Sequence, residues 1–377
     1  MKRAIVLIVI GTRPEAIKMA PVIRALQDRK AIFQPVVCAT GQHRQMLDQV
    51  IKLFGFPVDY DLDIMTPDQT LASVTARAIE GLSEVINTVV PAVILVQGDT
   101  TTAMCGALAG YYQRIPVGHV EAGLRTNDKY APFPEEINRR IIGQVADFHF
   151  APTERARQAL ENENCTGEIL VTGNTVIDAL LWMRRKVKKQ LPDLPEGLPG
   201  KIQGKVVILV TGHRRESFGK GFENICYAIR ETADEFEDVV FVYPVHLNPN
   251  VREPVRRILG KHPRVVLLEP MSYEPFVWLM DKADIVLTDS GGVQEEAPSL
   301  GKPVLVMRTT TERPEGIDAG NAILVGADQK RIKQELTRLI TDPVARHQMG
   351  AYANPYGDGK ASKRIVAFLE KKFCTGR

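Results

Sequence analysis

The feature that most constrains this chain is a repeated alternation of short apolar runs, polar Gly-containing turns and helical patterns. In the N-terminal half the apolar runs cover residues 4–10, 34–39, 92–97, 116–120 and 148–151. They are rich in Val, Ile and Ala and do not alternate polar with apolar. A strand with one wet face would alternate, so these runs predict parallel strands covered on both faces. Helical patterns over 16–27, 71–90 and 102–113 separate them, and such alternation predicts a doubly wound parallel sheet. The second half repeats the plan, with predicted strands at 206–210, 239–243, 265–268, 284–287 and 303–307.

Two domains follow from this. With 377 residues, each half is long enough to bury its own core. Residues 1–172 read as an N-terminal doubly wound domain and 173–354 as a C-terminal one. Residues 355–377, with a final helix, are expected to pack back onto the first. A loop is predicted over 191–200, which holds three prolines. The basic run before it (Arg184, Arg185, Lys186, Lys188, Lys189) reads as a solvated helix end.

Composition excludes several function classes. A net charge of +3 is too mild for a face wrapped on nucleic acid, though a few placed cations suffice for a small anion. The five cysteines (Cys38, Cys105, Cys165, Cys226 and Cys374) are an odd, scattered set with no C-x-x-C pair. That argues against a disulfide framework or zinc site and for a reducing, cytoplasmic setting. Lys2 and Arg3 before an apolar run resemble a signal peptide, but no small-residue cleavage site follows and a buried first strand is expected. No apolar stretch approaches the ~20 residues that span a bilayer, so no membrane partner is expected.

In open parallel sheets, ligands bind beyond the carboxyl ends of the strands, so the polar clusters there are the candidate sites. The first is Gly11-Thr-Arg-Pro-Glu-Ala-Ile-Lys18. Pro14 suits a first helical turn, and Arg13 and Lys18 flank a helix start that attracts anions. One Gly stands where a dinucleotide fingerprint needs three, so bound NAD is disfavoured. The second is Gln97-Gly-Asp-Thr-Thr-Thr102, where Asp99 is a candidate acid or base and its plainer role is a helix cap. The third, from Gly118 to Thr126, supplies Glu121. The fourth, from Pro132 to Arg140, supplies Glu135. Glu135 and Glu136 also stand four residues before Arg139 and Arg140, the spacing of surface ion pairs. Carboxylates gathered at one crevice push one another's pKa values apart, so one can donate a proton while another accepts.

The C-terminal half adds Asp289-Ser-Gly-Gly-Val-Gln-Glu-Glu-Ala297. Two glycines at a helix start expose amides that, with Ser290, predict a cradle for a phosphate or diphosphate at Ser290, Gly291 and Gly292. Glu296 is placed to accept ribose hydroxyls, and Arg313 supplies a matching cation. His213 and Arg214 follow the first strand of this half and suit an anion clamp. No His and acidic residues have helical metal-ligand spacing, so no metal is expected.

Together these segments resemble the non-hydrolysing UDP-N-acetylglucosamine 2-epimerases of bacteria. The resemblance rests on GTRPEAIKMAP, TGQHRQMLDQV, GDTTT, PVGHVEAGLRT, FPEEINR, TGNTVIDAL, TGHRRESFG, YPVHLNPNVREPV, LTDSGGVQEEAPSLGKPVLVMR, TERPE and NPYGDGKAS, which run in family order across almost the whole chain. It implies a glycosyltransferase-B-like fold of two Rossmann-like domains facing a cleft. It implies UDP held by Ser290, Gly291, Gly292, Glu296 and Arg313, with Phe276 near the uracil. Met271 stands where relatives often carry a polar side chain near the base, leaving a backbone contact there. Arg13, Lys18, Asp99, Glu121 and His213 would complete the cleft. Gln42, Gln45, Arg214 and His246 match positions that bind a second, regulatory substrate molecule. Asn127 and Ala131 replace what are often Gly and Ser in the loop before Phe133.

The implied reaction is epimerisation at carbon 2 of UDP-N-acetylglucosamine by elimination and re-addition of UDP, with no cofactor. Asp99, Glu121 and Glu135 are the candidates for proton transfer, and His213 joins them in the catalytic set. The expected partners are UDP-N-acetylglucosamine, UDP and a second copy of the chain, with the product feeding a surface polysaccharide. The competing readings are a hydrolysing epimerase, a glycosyltransferase of the same fold and a catalytically silent sugar-nucleotide sensor.

Overall fold

A computed structural model describes residues 3–41, 44–66 and 68–374. The chain divides into two compact units, Met1–Ala179 with Tyr356–Arg377, and Leu180–Pro355.

The described residues of the first unit hold a parallel sheet of seven strands: β1 (Ala4–Ile10), β2 (Phe33–Ala39), β3 (Tyr60–Asp61), β4 (Val93–Gln97), β5 (Val117–Val120), β6 (Phe148–Ala151) and β7 (Glu168–Val171). Their order is β3-β2-β1-β4-β5-β6-β7. The chain winds outward from β1 in one direction, returns, and winds outward from β4 in the other. The order reverses between β1 and β4, which pair from Val6–Val93 to Ile8–Leu95. Strands β1, β4 and β5 are almost wholly buried, the physical reason that their sequences do not alternate. The short strands β3 and β7 are not among those predicted: Tyr60–Asp61 has two residues, and Glu168–Val171 carries only three apolar residues on a half-wet edge.

The second unit holds a six-stranded parallel sheet: β8 (Val206–Thr211), β9 (Val239–Pro244), β10 (Val265–Leu268), β11 (Ile285–Thr288), β12 (Val304–Val306) and β13 (Ala322–Leu324). The order β10-β9-β8-β11-β12-β13 is the Rossmann order 3-2-1-4-5-6, with its reversal between β8 and β11. Its core gathers Ile208, Val210, Phe222, Phe241, Leu287 and Leu336 among others.

The final helix, Ala361–Cys374, belongs to the first unit and lies against the helix Arg13–Gln27. Phe368 meets Phe148 and Phe150 edge-on, with ring centroids 5.3 and 5.5 Å apart. Its start is capped by Asp178, whose carboxylate accepts from the Ala361 and Ser362 amides at 3.1 and 2.9 Å and from the Ser362 hydroxyl at 2.5 Å. No described helix is long and apolar enough to cross a membrane.

Candidate active site

In the first unit, the switch point is built on a tight approach. A Cβ added to Gly11 would stand 2.2 Å from the Thr102 hydroxyl oxygen and 2.7 Å from that of Thr40, so no larger residue fits. The next residues start the helix Arg13–Gln27 with a capping box: Thr12 caps Glu15, and Glu15 reaches back to the Thr12 amide. The buried Glu15 carboxylate accepts from the Gly11 and Thr12 amides at 3.1 and 2.7 Å and from the Thr100 hydroxyl at 2.6 Å. It therefore ties the turn after β1 to the turn after β4. Burial raises its pKa, while those donors pull it back.

Thr100, not Asp99, caps the helix Thr101–Tyr112, accepting from the Ala103 amide at 3.0 Å. The plainer reading of Asp99 as a cap is thereby displaced. Its carboxylate instead pairs with Arg139 at 2.7 Å, and its carbonyl accepts from the Asn138 side-chain amide at 3.0 Å.

Glu121 is the first residue after β5, and its backbone is left-handed, φ 66°. A non-Gly residue in that region carries about 1–3 kcal/mol of strain and is characteristic of functional positions. The turn aims a carboxylate only 6% exposed at a set of donors. The Lys18 ammonium lies 2.8 and 2.6 Å from its two oxygens. Asn174, just past β7, donates at 3.1 Å, and Gln97, the last residue of β4, donates to the other oxygen. A Cβ on Gly98 would stand 3.9 Å from a Glu121 oxygen, so the turn carrying Asp99 runs beside this cluster. Lys18 is thus engaged by a carboxylate and is not simply an anion-attracting cation at the helix start.

Glu135 opens the helix Glu135–Val145 and holds one buried carboxylate oxygen with no hydrogen-bond partner. Of the two i,i+4 pairs that the spacing offered, Glu136–Arg140 forms, while Arg139 turns inward to Asp99. Glu136 is fully buried, accepts from the Thr126 and Asn127 amides at 3.0 and 3.3 Å, and pairs with Arg140 at 3.0 Å and with Arg139 at 3.4 Å. Arg139 is buried and turned to Asp99. The sequence pattern missed Gln97, Asn138, Arg139 and Asn174 as site residues. Gln97 and Asn174 were detectable in principle, as polar residues at strand ends.

In the second unit, Asp289 organises the switch point. One carboxylate oxygen accepts from the His213 and Arg214 amides at 2.7 and 2.8 Å, and the other lies 3.5 Å from His213 Nδ1. The His213 ring is stacked on His246, centroids 5.3 Å apart. Desolvation lowers the His213 pKa against the pull of Asp289, with His246 and Arg214 adding to the fall. A neutral imidazole beside a carboxylate can hold or pass a proton. His246 Nδ1 accepts from the Asn248 amide at 3.1 Å. Gln42 and the side chain of Gln45 lie outside the described residues.

The Ser290 amide donates to the Thr288 hydroxyl at 2.9 Å, and the Ser290 hydroxyl makes no cap bond. The amides of Gly291 and Gly292 open the helix Gly291–Glu296, where first-turn N–H groups have no intrahelical acceptor. The Arg313 guanidinium lies over Gly291, 3.1–3.3 Å from where a Cβ would stand, and is held by Glu295 at 2.8 Å. Burial pushes the neighbouring Glu312 carboxyl up, but Arg308, with Arg313 farther off, outweighs it and brings the pKa down to about 2. Glu296 accepts from the Tyr273 hydroxyl at 2.9 Å. Met271 and Phe276, both half-buried, follow β10 on the same carboxyl edge.

The family model described as UDP-N-acetylglucosamine 2-epimerase matches residues 24–370. The UDP-N-acetylglucosamine 2-epimerase of Escherichia coli K12 is 57% identical to this chain, over 97% of it and 98% of the relative. The crystal structure of UDP-GlcNAc 2-epimerase from Neisseria meningitidis bound to UDP-GlcNAc superposes with a TM-score of 0.89 at 50% identity, covering 97% of this chain and all of that one. The Methanocaldococcus jannaschii UDP-GlcNAc 2-epimerase, in complex with UDP-GlcNAc and UDP, does so at 0.79 and 32% identity, covering 97% and 99%. The two Rossmann-like sheets are those of the glycosyltransferase-B-like fold of these enzymes. With a matching family model over most of its length and near-complete relatives at this identity, the chain belongs to the UDP-N-acetylglucosamine 2-epimerase family.

Proposed function

We propose that this enzyme inverts carbon 2 of UDP-N-acetylglucosamine, giving UDP-N-acetylmannosamine, by eliminating and re-adding UDP. The observation that carries the reading is the carboxylate set at the carboxyl edge of the first sheet: Glu121 among Lys18, Gln97 and Asn174, beside the Arg139-bound Asp99. Family membership supplies the substrate class.

A carboxylate takes the carbon 2 proton. The electron pair forms the carbon 1–carbon 2 double bond as the carbon 1–oxygen bond breaks, and the pair from that bond leaves with UDP. The intermediate is 2-acetamidoglucal. A proton delivered to the opposite face of carbon 2 and attack of UDP at carbon 1 complete the cycle. Asp99, Glu121 and Glu135 are the proton-transfer groups. The charge developing on the diphosphate is met by Arg13, His213, Arg313, the Ser290 hydroxyl and the Gly291 and Gly292 amides. Glu296 holds the ribose, and Met271 and Phe276 flank the uracil.

The finer parts of the reading rest on family resemblance. They are a cytoplasmic homodimer, a product that feeds surface polysaccharide, and regulation by a second substrate molecule at Gln42, Gln45, Arg214 and His246. The His213–His246 stack supports the last, since it joins a catalytic position to a regulatory one.

Turnover in heavy water tests the chemistry. Deuterium is expected at carbon 2 of the product, and an unlabelled product would overturn the mechanism. The same run without an acceptor separates epimerisation from glycosyl transfer, and free sugar accumulating with UDP would indicate hydrolysis.

A further inference from the structure

The turn Gly98-Asp99-Thr100 is held at each of its three residues by a different element. The buried His119 side chain of β5 lies 2.7 Å from the Gly98 carbonyl through Nε2. Asn138 donates to the Asp99 carbonyl at 3.0 Å, and Arg139 Nη2 lies 2.7 Å from the Asp99 carboxylate. Glu15 holds the Thr100 hydroxyl at 2.6 Å. Two of these grips come from adjacent residues of one helix, Glu135–Val145, whose first residue is Glu135.

Arg139 is an expensive residue to bury for structure alone. Its side chain is 7% exposed, and its Nε and Nη1 have no hydrogen-bond partner. Desolvating a guanidinium whose Nε is unbonded and whose Nη1 has only a loose 3.4 Å ion pair with Glu136 costs stability. The nitrogen that is satisfied points at Asp99. Glu136 faces the guanidinium from behind at 3.4 Å but is already occupied by the Thr126 and Asn127 amides and by Arg140.

We propose that Asn138 and Arg139 are positioning residues that fix Asp99, backbone and carboxylate together, for proton transfer at carbon 2. Because the same helix begins with Glu135, it sets the position of two of the three carboxylates at once. This rests on the reading of Asp99 as a proton-transfer group. Arg139 acts through Asp99 and contacts no reacting atom.

The experiment is a set of double-mutant cycles, read as kcat, KM and UDP affinity. Asp99→Asn first tests the underlying reading: a near-normal rate there removes Asp99 from the chemistry and leaves nothing to position. With Asp99→Asn slow, Arg139→Met is expected to lower kcat about 100-fold, the scale of a misplacement near 1 Å, with UDP affinity unchanged. Arg139→Lys should recover part of the loss, because it keeps the charge without the fork. Asn138→Ala should lower kcat roughly tenfold, and it serves should Arg139→Met fail to fold. The decisive readout is additivity. If both residues act through Asp99, combining either change with Asp99→Asn leaves kcat within about threefold of Asp99→Asn alone. Losses that multiply, as for independent structural damage, would overturn the inference, and so would full activity in Arg139→Met and Asn138→Ala.

Discussion

Glu121 and Asp99 are both anchored by cations, yet differently, and the difference bears on their roles. Glu121, buried, receives an ammonium and two side-chain amides. Asp99 receives one guanidinium and is more open, its side chain 29% exposed. The two carboxylates therefore differ in burial and in the donors that hold them. Replacing either Glu121 or Asp99 by its amide is expected to lower turnover at least ~100-fold while UDP affinity stays close to normal. Steady-state kinetics beside calorimetric UDP titration checks this, and a loss of UDP affinity as large as the loss of rate would move the residue into the binding set. In the second unit, Gly291→Ala would place a methyl against the Arg313 guanidinium at 3.1 Å. The expected result is weaker UDP binding from a displaced cation, seen in the same titration.

At the scale of elements, the strand-end turns are coupled through side chains that also do ordinary structural work. Glu15 completes a capping box and at the same time joins two turns. Asp178 sits in the first turn of one helix, Thr175–Lys189, and caps another. Gly11→Ala should be damaging at this level, because the new methyl meets two threonine side chains at well under contact distance. Overpacking of this kind costs about 1–3 kcal/mol, so the midpoint of thermal unfolding should fall by several degrees. An unchanged midpoint would mean that the β1 turn shifts freely. Asp and Thr are both good caps, so the stretch Asp99-Thr100-Thr101 does not itself say which residue caps the helix; the observed bond of Thr100 to the Ala103 amide decides it.

At the scale of the whole molecule, buried histidines set a sign for acid stability. Burial is the main cause lowering His119 to about 3, against its bond to the Gly98 carbonyl. His149, its cross-strand neighbour, is lowered to about 4 by burial and then by Arg125. In the unfolded chain both titrate near the ordinary imidazole value of 6.5. Above that pH both states are neutral and stability does not change through them. Below it the unfolded chain takes up protons that the folded one refuses, so stability falls steadily as pH drops from about 6.5 toward 4. Glu15 and Asp178, raised by burial, bind protons earlier than their unfolded counterparts and oppose this at the acid end. Denaturant titrations across this range should show a shallower loss in His149→Asn than in the parent chain.

The sequence by itself determined the layered plan. Continuous apolar runs specify strands covered on both faces, and the polar turns after them mark the ligand edge, because both signals are local. Asp99, Glu121, His213 and the Ser290-Gly-Gly turn could be named for that reason. Tertiary structure alone decided what each of them touches. Lys18 and Glu121 are 103 residues apart, as Glu15 and Thr100 are 85, and their meeting follows from strand order, which periodicity does not encode. The same is true of Arg139: its spacing from Glu135 is that of a surface pair, and only the packing of its helix against the β4 turn directs it inward to Asp99.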